Sequence, residues 1–383
     1  MDDQWMVFSH YTERGWTVDN LWHIFTDFYG GQYAPLAFLS YLVLYAGFGY
    51  DPFYFHMFSL LLHIGCVCLV WKLISSLLRV HGGVSEKQIL YVNFITTLLF
   101  AVHPINVEAV AWISALKVLL YAFFYLLGLL CYLRYIRTSK IFYYVLTIGC
   151  FLCSFWGKEQ AVTFPLALLI VDWFTNRNMK NLEVWSEKMS FLIMAFFFGI
   201  ITVLSQGKGP YEMIFPLYQR LLFGCFALVE YITKSLLPVN LNFFYPFPIV
   251  LGEEPPLHYY LYPVVLLFLM GWIIAYRNNR YLVFGVLLFL VNLLFSIHLF
   301  NMSRHAIVAD RYMYLSYVGI AFLIANGIWW LRKRLSYFKA ALVFLFFYCF
   351  FLSVYTFHYT KKWENTTMVK KYTKEVRKKV EWK

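Results

Sequence analysis

The feature that most constrains this chain is how often it runs apolar without interruption. Such segments recur at about 53–78, 89–103, 116–136, 141–156, 160–175, 189–205, 259–276, 281–299, 314–331 and 338–358. A helix of about 20 apolar residues spans the roughly 30 Å hydrocarbon core of a bilayer. Inside that core the backbone can only hydrogen-bond to itself, which makes each run a helix. The spacing therefore predicts an all-α polytopic membrane protein with about ten transmembrane helices. Segments 89–103 and 160–175 are short for a perpendicular crossing, so their polar flanks are expected to help them. The 31 Tyr and 40 Phe suit wide aromatic belts at the interfaces.

Charge orients the runs. Loops 72–88, 134–140, 177–188, 277–280 and 332–339 together hold 15 Lys and Arg. The opposite connections, without the tail, hold 8 Lys and Arg and 13 acids. Basic loops stay in the cytoplasm, so residues 1–52, the stretch after His103, Gly157–Gln160, 206–258 and Asn301–Tyr312 face outward. The net charge of +12 sets topology on this reading and predicts no nucleic-acid partner. Residues 218–237 carry Arg220, Glu230 and Lys234 and read as an interfacial helix on the outer surface. Pro238–Pro248 is too rich in proline to cross as a helix. The chain thus divides into an outward-facing first loop with an acidic motif (1–52), a transmembrane bundle (53–358) and a basic tail (359–383).

The seven cysteines form no framework. Cys66, Cys68, Cys150 and Cys153 lie inside apolar runs without a second ligand pair, so they read as small buried filler. His56, Ser59 and His63 make one stripe on the first run, where interhelical hydrogen bonds are expected. No cleavable signal stands at Met1.

One stretch, Leu99–Lys117 (LFAVHPINVEAVAWISALK), interrupts the pattern. It leaves an apolar run at His103-Pro104 and starts again with Glu108 and Trp112. Proline fits a first helical turn, because its missing N–H would be unpaired there. A carboxylate in that turn suits the positive end of the helix dipole. The stretch is expected to form an elbow at the membrane edge. Lys117, half a turn round from Glu108 on a straight helix, is expected to reach for the headgroups.

Four strings in order, HPINVEAVAWISALK, WGKEQAVTFPLALLIVDW (Trp156–Trp173), LPVNLNFFYPFP (Leu237–Pro248) and ADRYMYLSYVGI (Ala309–Ile320), carry a family resemblance. They resemble signatures of bacterial relatives of the transmembrane O-mannosyltransferases with tetratricopeptide repeats, of the GT-C class. Leu116 and Val118 depart from the Arg and Asp common in those relatives, and a form lacking the repeat domain is expected. The relatives open with a span leading into an acidic sequence, so a missing first helix or a misassigned start is expected before Asp2-Asp3.

The resemblance implies a GT-C-like bundle in a bacterial cytoplasmic (inner) membrane, with its site facing the periplasm. It implies an inverting glycosyltransferase that moves a sugar from a polyprenyl-phosphate donor to a hydroxyl, on a Ser/Thr of an exported protein or on a glycan. A polytopic transporter or flippase, and a non-catalytic assembly subunit, are the competing readings.

Such a transfer needs a base for the acceptor hydroxyl, which a carboxylate within hydrogen-bond reach supplies. Asp3, then Asp2, match the position of the acidic motif that such enzymes use, and Glu108 is expected to orient hydroxyls. Cations suit the leaving phosphate: Lys158, Arg304 and Arg311, with Tyr312 as a hydrogen-bond donor. Their alternative role is interface anchoring, with Arg311 paired to Asp310 or Glu159. His103 and Glu159 are candidate substrate contacts. No His/Asp cluster on the outer side has convincing metal-ligand spacing, so no cofactor is expected, with a divalent metal as the alternative that is not predicted.

Overall fold

The computed structural model describes residues 3–206, 215–299 and 306–380. Each apolar run contains helix, though the run 281–299 is helical only to Leu293, and among the described residues there is no strand beyond two isolated bridges, Tyr29–Gln32 and Tyr245–Val308. Among the described residues, six helices are long and apolar enough to cross a membrane: Pro52–His81, Ile113–Thr138, Leu182–Ser205, Leu257–Ala275, Asp310–Lys333 and Leu335–Trp363. A seventh forms if Glu86–Val102 and Pro104–Ala111, bent by 50°, are one broken span. The expected ten is therefore not reached by length alone. Ile141–Gly157 stops at 17 residues and Arg280–Leu293 at 14, and residues 159–174 are split between a 3-10 turn and an 11-residue helix.

Local chemistry sets many of the boundaries. Asp51 caps Pro52–His81 by accepting from the Phe53 N–H at 3.0 Å, with Pro52 at the first position. Asn279 accepts from the N–H groups of Tyr281 and Leu282 to open Arg280–Leu293. Ser139, at φ 53°, turns the chain out of Leu116–Thr138.

The chain divides into two units, 1–93 with 109–209 and 94–108 with 210–383. In the first unit, Leu116–Thr138 is the axis, packed by Pro52–His81 and Ile141–Gly157. Gly157 lets the backbones touch, since a Cβ there would meet the Tyr121 nitrogen at 2.8 Å. Four helices form within the expected first loop: Asp3–Met6, His10–Glu13, Val18–Thr26 and Pro35–Phe48. Met6, Tyr11, Ile24, Phe38 and Tyr41 share one core with Leu116 and Leu120. Ser59, expected to bond across helices, has a buried hydroxyl without a hydrogen-bond partner.

In the second unit, Arg280–Leu293 and Met313–Trp330 pack glycine on glycine. A Cβ on Gly319 would lie 2.5 Å from the Gly285 carbonyl oxygen. Small residues let membrane helices approach closely where lipid gives no hydrophobic drive. Leu217–Leu236 forms over the segment expected to be interfacial, and residues 237–256 contain no helix.

Candidate functional site

The second unit builds its site on the elbow. His103 is extended and its Nδ1 accepts from the Ile105 N–H at 3.2 Å, capping the 3-10 turn Pro104–Asn106. The Asn106 amide donates back to the Phe100 carbonyl at 2.7 Å, closing the corner. His103 is buried against Tyr317, with ring centres 4.2 Å apart. The helix resumes at Val107 and turns Glu108 inward, to 0% exposure.

Glu108 meets the Ala309–Ile320 string there. Arg311 Nη1 donates to Glu108 Oε1 at 2.5 Å, and the Arg311 backbone N–H donates to Oε2 at 2.7 Å. Arg311, 20% exposed, also lies 5.1 Å from the Tyr312 ring centre. Arg311 thus pairs with Glu108, a partner other than the Asp310 or Glu159 expected from sequence.

Asp310, 1% exposed, turns the other way. Tyr245 donates its hydroxyl to both Asp310 carboxylate oxygens, at 2.9 and 3.0 Å. The Asn242 N–H donates to the same phenol oxygen at 2.6 Å. Burial and the neighbouring Asp310 carboxylate hold the Tyr245 hydroxyl well above the usual tyrosine range, so it remains a donor. Lys234 Nζ stands 4.7 Å over the Tyr245 ring and 3.3 Å from Glu230. The backbone fixes this arrangement: the Ile307 N–H donates to the Tyr245 carbonyl at 2.9 Å, and the Ala309 N–H to the Tyr231 hydroxyl at 3.1 Å. Buried charges persist where they are paired. Glu108 with Arg311 meets that condition.

The first unit holds the other candidates. Asp3 opens the first helix and accepts from the Ser114 N–H at 2.9 Å, and the Ser114 hydroxyl donates to the same oxygen. Tyr41 donates to the Ile113 carbonyl at 3.0 Å, fastening the following turn. Lys117, expected to reach for headgroups, is buried and donates to Gln32 Oε1. Lys158 is buried in extended backbone between Ile141–Gly157 and the 3-10 turn that Glu159 opens. Asp2 and Arg304 lie outside the described residues.

The structure thus brings Glu108, Arg311 and Tyr312 together, beside the elbow that His103 caps. Asp3, Lys158 and Glu159 belong to the first unit. Ser114, Tyr245, Asp310 and Lys234 were not singled out as site residues by sequence. The first three lie inside the signature strings, and Lys234 was visible only as one charge on an amphipathic helix. Among the described residues, no three His, Cys, Asp or Glu side chains gather as a metal cage.

The first unit has a second charged cluster that sequence reasoning missed. Asp172 and Lys188, both 0% exposed, pair with each other, and Lys188 and Glu187 pair at 3.0 Å. Arg177 reaches Asp172 at 3.2 Å and Glu187 at 2.6 Å. Tyr132 donates to both Asp172 oxygens at 2.9 Å. The signal for it was Asp172, a lone acid in an apolar run.

These features define a class: an all-helical, multi-pass membrane protein with paired charges buried at the ends of its helices. No family model matches the chain, and no solved structure matches it. It is similar to Protein O-mannosyl-transferase TMTC2 of Mus musculus, 32% identical over 189 residues, 45% of this chain and 21% of that protein. It is likewise similar to Protein O-mannosyl-transferase TMTC4 of Homo sapiens, 31% identical over 167 residues (38% and 22%). Protein O-mannosyl-transferase Tmtc3 of Drosophila melanogaster is 28% identical over 172 residues (40% and 18%). These are homologues at moderate identity, and the chain spans about a fifth of the length of the curated relatives it matches.

Proposed function

We propose that this chain is an inverting glycosyltransferase that moves a sugar, mannose by analogy with the names of its relatives, from a polyprenyl-phosphate donor to a Ser/Thr hydroxyl of an exported protein. The observation that carries the reading is the buried Glu108–Arg311 pair, made by two signature strings 203 residues apart. A carboxylate and a guanidinium held together out of water suit a reaction in which a hydroxyl must be oriented and a phosphate must leave.

In this reading Asp3 takes the proton of the acceptor hydroxyl as its oxygen attacks the anomeric carbon. Ser114 holds the Asp3 carboxylate in place, and Asp2 assists with the acceptor. The bond from the anomeric carbon to the phosphate oxygen breaks on the opposite side, inverting the centre. Lys158, Arg304 and Arg311 take up the phosphate charge, with Tyr312 as a hydrogen-bond donor. Glu108, His103 and Glu159 orient sugar and acceptor hydroxyls. No metal or cofactor enters the scheme.

The protein sits in a bacterial cytoplasmic membrane with the signature strings facing the periplasm, and about ten of its helices cross the bilayer. The support for that side is the excess of Lys and Arg in the other set of loops. The acid of the 1–52 segment lies on the motif face, the bundle fills 53–358, and the tail starts at 359.

Purified protein in proteoliposomes, given a radiolabelled polyprenyl-phosphate sugar and an acceptor peptide, is expected to transfer label to the peptide. Movement of the lipid-linked sugar between leaflets with no transfer would instead identify a flippase, and neither event would leave an assembly subunit.

A further inference from the structure

We infer that the last helix, Thr366–Val380, is a membrane-surface clamp whose lysine face binds anionic phospholipid headgroups. The inference is independent of the transfer chemistry and rests on how the helix divides its two faces.

Val369, Tyr372, Thr373 and Val376 recur at intervals of three and four, so they share one stripe. That stripe is turned to the protein: Val369 and Val376 are buried, and the Tyr372 ring centre lies 5.8 Å from that of Tyr359. The apolar face is therefore already used. Lys370, Lys371 and Lys374 occupy the other side and are exposed. Among the described residues no ion pair engages any of the three. The acids nearby, Glu364 and Glu375, are also exposed, and the chain continues into Arg377, Lys378 and Lys379.

Position decides what such a face meets. The apolar span Leu335–Trp363 ends only three residues before Thr366. The helix folds back on the last turn of that span, with Trp363 buried and Lys362 Nζ 5.5 Å over the Tyr372 ring. Lys361 lies 4.5 Å over the Phe357 ring, one turn further into the span. The exposed lysines are thus held near the level at which the chain leaves the hydrocarbon, where headgroup phosphates lie. Cations there act within the screening length of about 8 Å at physiological salt.

Charge distribution points the same way. Residues 358–383 carry nine Lys and Arg against three acids. The side they share is that of the Leu237–Pro248 string: the Trp363 ring centre lies 5.9 Å from that of Phe243. A dense basic tail on that side runs against the distribution that orients the spans, and an anionic headgroup surface gives it a partner. Each lysine near such a surface strengthens binding by roughly fivefold.

The test is hydrogen exchange of residues 366–376 in the whole chain, in nanodiscs of neutral lipid and in nanodiscs with anionic phospholipid. Anionic lipid is expected to slow exchange by tenfold or more. The effect should vanish at high salt and in K370Q/K371Q/K374Q, which keeps good helix formers, while exchange in Leu335–Thr360 stays unchanged as the folding control. Equal exchange in both lipids overturns the inference, as does undiminished slowing in the triple variant. A third arm adds inorganic phosphate to neutral nanodiscs. Slowing there would mark a site for a soluble anion and overturn the membrane assignment.

Discussion

Arg311 grips Glu108 with two different groups, its guanidinium at 2.5 Å and its own backbone N–H at 2.7 Å. The second bond ties the carboxylate to the chain itself, so the side chain of Arg311 can change while the two strings remain joined. Glu108 sits at the start of a short helix after a 50° bend, and Arg311 sits in the 3-10 turn that opens Met313–Trp330. The pair is both a fastening and a desolvated charge centre.

That double role separates two variants. Glu108→Gln leaves the guanidinium without its buried counter-charge, and removing one member of such a pair costs about 3–5 kcal/mol. Arg311→Lys keeps both the charge and the backbone bond but loses the planar fork. Thermal unfolding should register Glu108→Gln strongly and Arg311→Lys weakly, while sugar transfer falls in both. Equal destabilisation by the two would reduce the pair to a structural bond.

Asp3 gives the sharpest kinetic expectation. Asp3→Asn preserves shape but removes the proton acceptor, so transfer should fall by about 10²–10⁴-fold with donor binding nearly unchanged. Ser114→Ala keeps the backbone bond to Asp3 at 2.9 Å and loses only the hydroxyl bond. A charge-assisted hydrogen bond contributes about 1.5–3 kcal/mol, so that variant should lose roughly 10- to 150-fold. Chelator is expected to leave the parental rate unchanged. Full activity in Asp3→Asn would pass the role of base to Glu108.

The Asp172–Lys188 cluster makes a stability prediction with no kinetic component of its own. Lys188→Met removes one of two cations from Asp172, which is 0% exposed, and leaves Arg177 as its counter-charge, so the loss should stay below the roughly 3–5 kcal/mol of a fully unpaired buried charge. The double variant Asp172→Asn/Lys188→Met should recover much of this, because no uncompensated charge remains. Chemical denaturation in detergent reads both, and additive losses would show that the two residues are not coupled.

Topology is tested by single cysteines in a background lacking the seven native ones. Cysteines at Gly252 and Ala306 are expected to react with an impermeant thiol reagent in intact cells, and those at His81 and Asn278 to resist it. Labelling of the second pair would invert the orientation and put the signature strings in the cytoplasm.

The sequence by itself determined where the apolar helices form, but not the four helices between Asp3 and Phe48. Ten apolar runs read as helices and each contains helix, because in lipid the backbone has no partner but itself. The elbow was legible for a similar reason: His103-Pro104 removes a donor and fixes φ, so the break had to fall there. How many helices reach across was less legible, since glycine, proline and 3-10 turns shorten several in ways that hydropathy does not weigh. Which charges meet was decided only by the tertiary structure. Glu108 and Arg311 each looked like a candidate alone, and nothing in their local surroundings announces a partner 203 residues away. Lys117 looked like an interface anchor until the helical first segment supplied Gln32 as its acceptor. Periodicity is a local property and can be read along a chain. The pairing of buried charges depends on which surfaces the packed helices bring face to face.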